Sequence, residues 1–374
     1  MNPKQSRSVA ECFAVLNDAR RGPHKLHSLQ DVLVIALCAT VCGATSYYDM
    51  EAFGTAREGW LRESLGLELP NGIPSHDTFN RVFQSLDPAL FEACFRLWID
   101  QVRQSLQGEV VAVDGKALKS VPTPNGSTPY VVSAWASAQE LVIGQVRTDE
   151  KSNEIKAIPQ LLDLLRIKGA IVTIDAAGCQ KAIVAKIVEK GADYVIGLKG
   201  NQPTMLEEMS LMFDDALKAN PGAFRRVATV EKQSGRVEER TCCQTSDIDW
   251  FADKGEWAGL RSVCRVDSKR TVRGVESRET RYYISSLEVA PVRTNRAIRA
   301  HWGIENKVHW LLDVEFGEDD SRVRKINAAQ NLNTLRKFAI DLIRRDKTTN
   351  RTFKKKRQQL MWDDAMLRSV VVGK

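Results

Sequence analysis

The spacing of hydrophobic positions changes twice along the chain, and the changes divide it. From Ser28 to Phe53 the residues are helix formers and apolar nearly all round, which predicts a buried helix, a turn at Gly43 and a second short helix. Pro74-Ser75 announces a helix from His76 to Ser85, and Asp87-Pro88 opens another that runs to about Gln104. The first hundred or so residues thus read as all-helical. At Gly108 the period shortens: Val110 to Val113 is a fully apolar strand ending in Asp114-Gly115-Lys116, followed by PYVVSAWAS and ELVIGQVRT at hairpin spacing. SNEIKAIPQLLDLLRI restores helical spacing, with Ser152 as candidate cap and Pro159 predicting a kink or a delayed start. Ile171 to Ile174 lead into Asp175, Gln180 to Lys190 reads as a helix, and ADYVIGLKGNQ as a strand ending at Lys199-Gly200. Three strands, helix, strand, helix, strand, helix is the order of a mixed sheet flanked by helices, whose first and fourth strands carry the two aspartates.

From Phe224 to Ser286 apolar and charged residues alternate, which predicts antiparallel strands inserted after Asp175. Their arginines, Arg236, Arg240 and Arg281 among them, read either as solvent-facing or as a phosphate-tracking surface. Helices return at about Val292. Within HWGIENKVHWLLDVEFGEDD, His301, Glu305, His309 and Asp313 recur every fourth residue, a polar stripe on one helical face with about 40° of drift per step. Trp302, Ile304, Val308, Leu311 and Leu312 border it, so the stripe abuts a hydrophobic surface. The plain reading is a solvated helix face or histidines satisfied in a core; the functional one is a metal or acid-base site. A zinc-hydrolase helix needs histidines four apart with glutamate next to the first, a spacing this stripe lacks.

Composition narrows the class. An apolar fraction of 43% is that of a globular protein, and 54 Lys+Arg against 47 Asp+Glu leave +7, compatible with a polyanionic partner. The excess is concentrated in Arg344 to Arg357, RRDKTTNRTFKKKR, which reads as a solvated basic tail. Eight cysteines without CxxC pairing read as reduced, buried thiols of a cytoplasmic protein. The start, MNPKQSRSVAECF, lacks the apolar core of a signal peptide, and the longest apolar run, Val32 to Ala44, is too short to span a bilayer. No membrane partner is expected.

Asp114, Asp175 and Glu305 together are three carboxylates on two strand ends and one helix, a set that two divalent ions can share in phosphodiester chemistry. At these residues the sequence resembles the insertion-sequence transposases of the DDE type, and within them the H-repeat-associated subgroup. The blocks GIPSHDTFNRVF, AVDGKALK, KSNEIKAIPQLL, TIDAAGCQ, DYVIGLKGNQ and HWGIENKVHWLLDVEFGEDDSR carry the resemblance in family order. It implies an α/β fold: a ribonuclease-H-like mixed sheet flanked by helices, with an all-helical N-terminal domain and an antiparallel β insertion. The corresponding division is a helical DNA-binding region over 1–107, a catalytic core over 108–222 and 287–346, an insertion over 223–286 and a basic tail over 347–374.

The resemblance also implies metal-dependent strand cleavage and strand transfer at the ends of a mobile element. Asp114, Asp175 and Glu305 would be the catalytic and metal-binding triad, with two Mg²⁺ or Mn²⁺ ions. Double-stranded DNA, as element ends and target, is the implied partner, and two sites acting on paired ends favour a homodimer assembled on DNA. The wider hairpin-forming group carries a tyrosine, arginine, glutamate and lysine signature; here Ile298, His301 and Leu312 hold the tyrosine, arginine and lysine positions. Lys116, Lys199 and Arg299 are the expected substitutes on phosphate, together with His301. His309 and Asp313 are expected to orient Glu305 or a coordinated water. A DNA-binding protein without catalysis, a domesticated or decaying copy, is the alternative.

Overall fold

Ser28 accepts a hydrogen bond from the Asp31 N–H and opens the most deeply buried helix of the N-terminal half. The computed structural model describes residues 9–18, 20, 25–121, 127–149, 153–233 and 235–373. Its N-terminal helices are α1 (Val9–Phe13), α2 (Leu29–Val41), α3 (Tyr47–Ala56), α4 (Glu58–Leu65), α5 (His76–Ser85) and α6 (Pro88–Val102). Gly43, at a φ of 115° that a side chain would resist, turns the chain from α2 toward α3. Asp87 caps α6, its Oδ1 accepting the Ala89 N–H at 2.8 Å. The helix α4 was not expected; it buries only Leu61, too little apolar periodicity to stand out in sequence.

The sheet is built from β1 (Val110–Ala117), β2 (Tyr130–Ala136) and β3 (Leu141–Thr148), then α7 (Glu154–Leu164), β4 (Ile171–Ile174), α8 (Lys181–Glu189), β5 (Asp193–Leu198) and α9 (Pro203–Ala219). The insertion adds β6 (Arg225–Gln233), β7 (Arg236–Thr245), β8 (Ser262–Val272) and β9 (Val275–Ser285). The nine strands lie in the order β3-β2-β1-β4-β5-β9-β8-β7-β6. β1, β2 and β3 form an antiparallel meander, while β4 and β5 join β1 in parallel through helical crossovers. Those five strands have the ribonuclease-H-like arrangement. The antiparallel insertion extends the same sheet, because β9 pairs with β5 from Val195↔Ser285 to Leu198↔Tyr282. Pro159 is accommodated inside α7, which begins at Glu154 without a delay, and the expected cap Ser152 lies outside the described residues.

Beyond the insertion come α10 (Pro291–His301), α11 (Trp310–Val314), α12 (Ile326–Arg345), α13 (Phe353–Leu360) and α14 (Asp364–Val372). α12 is buried along most of its length, packing on α2, α5 and α6 and also on β3. It is the shared wall between the N-terminal helices and the sheet. Lys337 on α12 crosses that wall, donating to Ser133 Oγ on β2 at 2.7 Å and to Gln145 on β3. Burial lowers the Lys337 ammonium to about 8 against the pull of Glu318 and Glu92.

The solvated basic tail expected from Arg344 to Arg357 is not what forms. α13 and α14 fold back onto α12, and Arg357 is buried, its guanidinium 4.1 Å over the Phe316 ring and donating to the carbonyls of Thr40 (3.1 Å) and Glu315. Long basic side chains cover apolar surface with their stems while the charge finds carbonyls and rings, so a charge run by itself does not report exposure. All eight cysteines are free and buried. Among the described residues no helix is long and apolar enough to cross a membrane.

Candidate active site

The site forms where two neighbouring strands stop pairing. β1 and β4 run parallel in register up to Val113↔Ile174, so Asp114 and Asp175 are the next residue on each side of the last paired rung. β1 does not end at Asp114 as expected: it continues to Ala117 against β2, with Asp114 opposite Ser133, while β4 turns away. The Asp175 carboxylate caps that turn, accepting the Ala177 N–H at 3.0 Å.

The stretch from His301 does not form one regular helix. α10 ends at His301, and Glu305 to His309 wind as a wide turn in which the Trp310 N–H donates to the Glu305 carbonyl five residues back. The four polar residues still face the sheet, but each meets a different partner. His301 Nδ1 lies 3.1 Å from Thr173 Oγ1 on β4, His309 Nδ1 lies 3.5 Å from Asp114 Oδ2 on β1, and Asp313 Oδ1 lies 2.7 Å from Lys116 Nζ farther along β1. Glu305 projects into a cavity of about 160 Å³ whose walls include Asp175, Lys199, Arg281, His301 and Trp302.

The electrostatics single out Asp114. Burial, and then the charges on Glu154, Asp175 and Glu305, raise its carboxyl to about 7 despite the Gly115 N–H that donates to it at 2.9 Å. Glu305 is raised too, by burial and by Asp175, with Arg281 acting against them. Glu154 was missed in the sequence, where it looked like an ordinary acidic residue in the first turn of a helix. Its carboxylate packs against Gly115: a Cβ built there would lie 2.5 Å from Glu154 Oε1, so a side chain at Gly115 would displace it. The available signal was its place in KSNEIKAIPQLL, an acid just before an apolar helix that follows the hairpin.

Other expected roles change. Lys116 is not available to phosphate: it is 9% exposed and surrounded by Asp313 at 2.7 Å, Asp319 at 3.0 Å and Glu318 at 3.7 Å. Asp313 therefore serves Lys116, not Glu305. Burial lowers the His301 imidazole, and lowers that of His309 to about 3, which works against the cationic form that a charged phosphate contact at His301 would need. Arg299 pairs with Glu231 on β6 and lines a neighbouring cleft. Lys199, exposed at the end of β5, is the expected cation that does share the cavity with Asp175 and Glu305.

Four carboxylates supply the hard oxygen donors that Mg²⁺ or Mn²⁺ prefers, and their mutual repulsion is what a divalent cation relieves. In donor chemistry the residues fit such an ion. Among the described residues, no three acidic, histidine or cysteine side chains close into a ready-made ligand set.

A ribonuclease-H-like sheet with acidic residues gathered where its first and fourth strands diverge is the framework of the DDE class. The chain belongs to the DDE transposase family: the family described as Transposase DDE domain matches residues 105–342, and the one described as DDE_Tnp_1-associated matches residues 10–99. It is 37% identical to the protein named "H repeat-associated putative transposase YhhI" of Escherichia coli (strain K12), across 98% of both chains. It is 35% identical to "Putative transposase YncI" of Escherichia coli O157:H7, across 98% of this chain and 95% of that one. A solved structure of piggyBac transposase, in a synaptic complex with hairpin DNA, aligns over 96% of this chain and 76% of its own at 12% identity and a TM-score of 0.43.

Proposed function

We propose that this protein cleaves DNA strands at the ends of an insertion element and joins the freed 3′-hydroxyl to target DNA, with Asp114, Asp175 and Glu305 as the catalytic carboxylates. Two divalent ions held by them, Mg²⁺ or Mn²⁺, would activate the attacking oxygen and stabilise the leaving one. The chain's own residues set the stage. Asp114, raised to about 7, gives up its proton readily when positive charge arrives beside it. Asp175 is fixed by the Ala177 N–H, and Glu154 is wedged beside Gly115 as a fourth carboxylate. Lys199 and Arg281, on the cavity wall with Asp175 and Glu305, are suited to hold the non-bridging oxygens of the scissile phosphate. A homodimer would bring two such sites to paired ends.

The reading is supported by one observation above the others: the Asp114 carboxyl on β1 feels the charges of Glu154 on α7, Asp175 after β4 and Glu305 after α10. The test is strand cleavage and strand transfer by purified protein on labelled element ends with Mg²⁺ or Mn²⁺. Wild-type protein is expected to cut and join, and Asp175→Asn to bind DNA without cutting. Intact DNA with both proteins, at every protein and metal concentration, would leave only the alternative of a DNA-binding protein derived from such an element.

A further inference from the structure

A second cleft lies behind the catalytic cavity, at the opposite ends of the central strands. Its volume is about 800 Å³, and its walls include Val110 and Ile171 at the starts of β1 and β4, the exposed side of α10, and Trp302, which also faces the cavity with Glu305. Four cations reach it: Arg293, Arg296 and Arg299 at three-residue spacing on α10, and Lys307. Arg299 is paired with Glu231 and Lys307 with Glu140. No acidic group of the described residues lies within ion-pair distance of Arg293 or Arg296. Glu109, the one carboxylate on the wall, is occupied by backbone, accepting the N–H groups of Ala138 at 2.8 Å and Val110 at 3.1 Å.

Trp135 lines the same cleft, is fully buried, and its indole Nε1 has no hydrogen-bond partner. An indole N–H is a donor only, and a buried donor left without an acceptor costs about 1–3 kcal/mol, a cost the wall of the cleft carries at Trp135. That nitrogen is packed behind Gly303, 3.2 Å from where a Cβ there would sit, so the groups an anionic oxygen entering the cleft would meet are the unpaired Arg293 and Arg296.

We infer that this cleft holds a stretch of DNA sugar-phosphate backbone, gripped by Arg293 and Arg296, on the far side of Trp302 from the catalytic carboxylates. The inference rests on the proposed DNA chemistry for its ligand, but the contact is one of binding, not of bond breaking. The cleft would track the duplex outside the cleavage point, where neutralising phosphate fixes register without reading sequence. Its contribution is therefore the same for any DNA sequence and falls with salt.

Binding of a labelled duplex, followed by fluorescence anisotropy over a salt series without divalent metal, tests it. Replacing Arg293 and Arg296 together by Gln removes two phosphate contacts, so the slope of log affinity against log salt should become shallower by about 1.8, with affinity roughly 60-fold weaker near 0.1 M salt. The two arginines are exposed, so the double variant should melt as the wild type does. An unchanged slope and affinity in the arginine variant would overturn the inference. Asp175→Asn separates the two readings: if it cuts like wild type while the arginine variant loses affinity, the cleft stands and the catalytic assignment falls. If it stops cutting while the arginine variant binds normally, the reverse holds.

Discussion

Replacing Asp114 by Asn should make the protein more stable while removing its proposed activity. The Asp114 carboxyl is held at about 7 in the fold against 3.8 when unperturbed. The folded chain therefore keeps a proton there that the unfolded chain has lost, and above pH 7 the folded state carries the cost of the ionised carboxylate. A shift of that size corresponds to at most about 4 kcal/mol. The Asp114 side chain is 20% exposed, so solvent relaxes part of the cost, and about 2 kcal/mol is the expected gain. Asn keeps the volume and can still accept the Gly115 N–H, so little is lost elsewhere. The sign fixes the pH window: the advantage is full above about pH 7, shrinks as pH falls, and is mostly gone near pH 4, where the wild-type carboxyl is neutral in the fold and about half protonated in the unfolded chain. Urea unfolding of both proteins in chelator at about pH 8 and about pH 4 measures it. Adding Mg²⁺ at the higher pH should stabilise wild type and leave Asp114→Asn nearly unmoved. A variant no more stable than wild type at pH 8, or one whose advantage persists undiminished at pH 4, would refute the account of an acidic cluster strained around Asp114.

Lys116→Met should destabilise by about 2–3 kcal/mol in urea unfolding, below the value for a fully buried pair because Asp319 keeps Lys119 and Glu318 keeps Arg336. Glu305→Gln should reduce strand cleavage by about 100- to 1,000-fold with little change in melting temperature, since the side chain is exposed. Gly115→Ala pushes the Glu154 carboxylate aside without altering its charge, and is expected to lower cleavage about 10-fold at near-normal stability, read by cleavage rate and thermal melting side by side. Arg357→Met leaves the Thr40 and Glu315 carbonyls without their donor and should cost about 2 kcal/mol, measured as a lower urea midpoint.

The pattern of apolar runs was enough for the order of elements from α5 to β9, because strand and helix periods are local properties of consecutive residues. His76 to Ser85 and Ile171 to Ile174 emerged with the expected ends for that reason. The same reading put Asp114 and Asp175 at the ends of apolar strands that could lie side by side, and β1 and β4 do pair up to the rung before them. The partners of each side chain were not legible. Lys116 and Asp313 are 197 positions apart, and no local rule joins a lysine behind a strand to an aspartate on a later helix. Glu154 looked like any helix-start acid until α7 brought it against Gly115, and Arg357 looked like a solvated tail until α13 laid it over Phe316. Sequence determined which residues can do chemistry and in what order the elements come, since both depend on residue type and near neighbours. Only the tertiary structure decided which charges are spent on one another and which are left for a ligand, because desolvation and pairing depend on atoms that meet solely when distant segments pack.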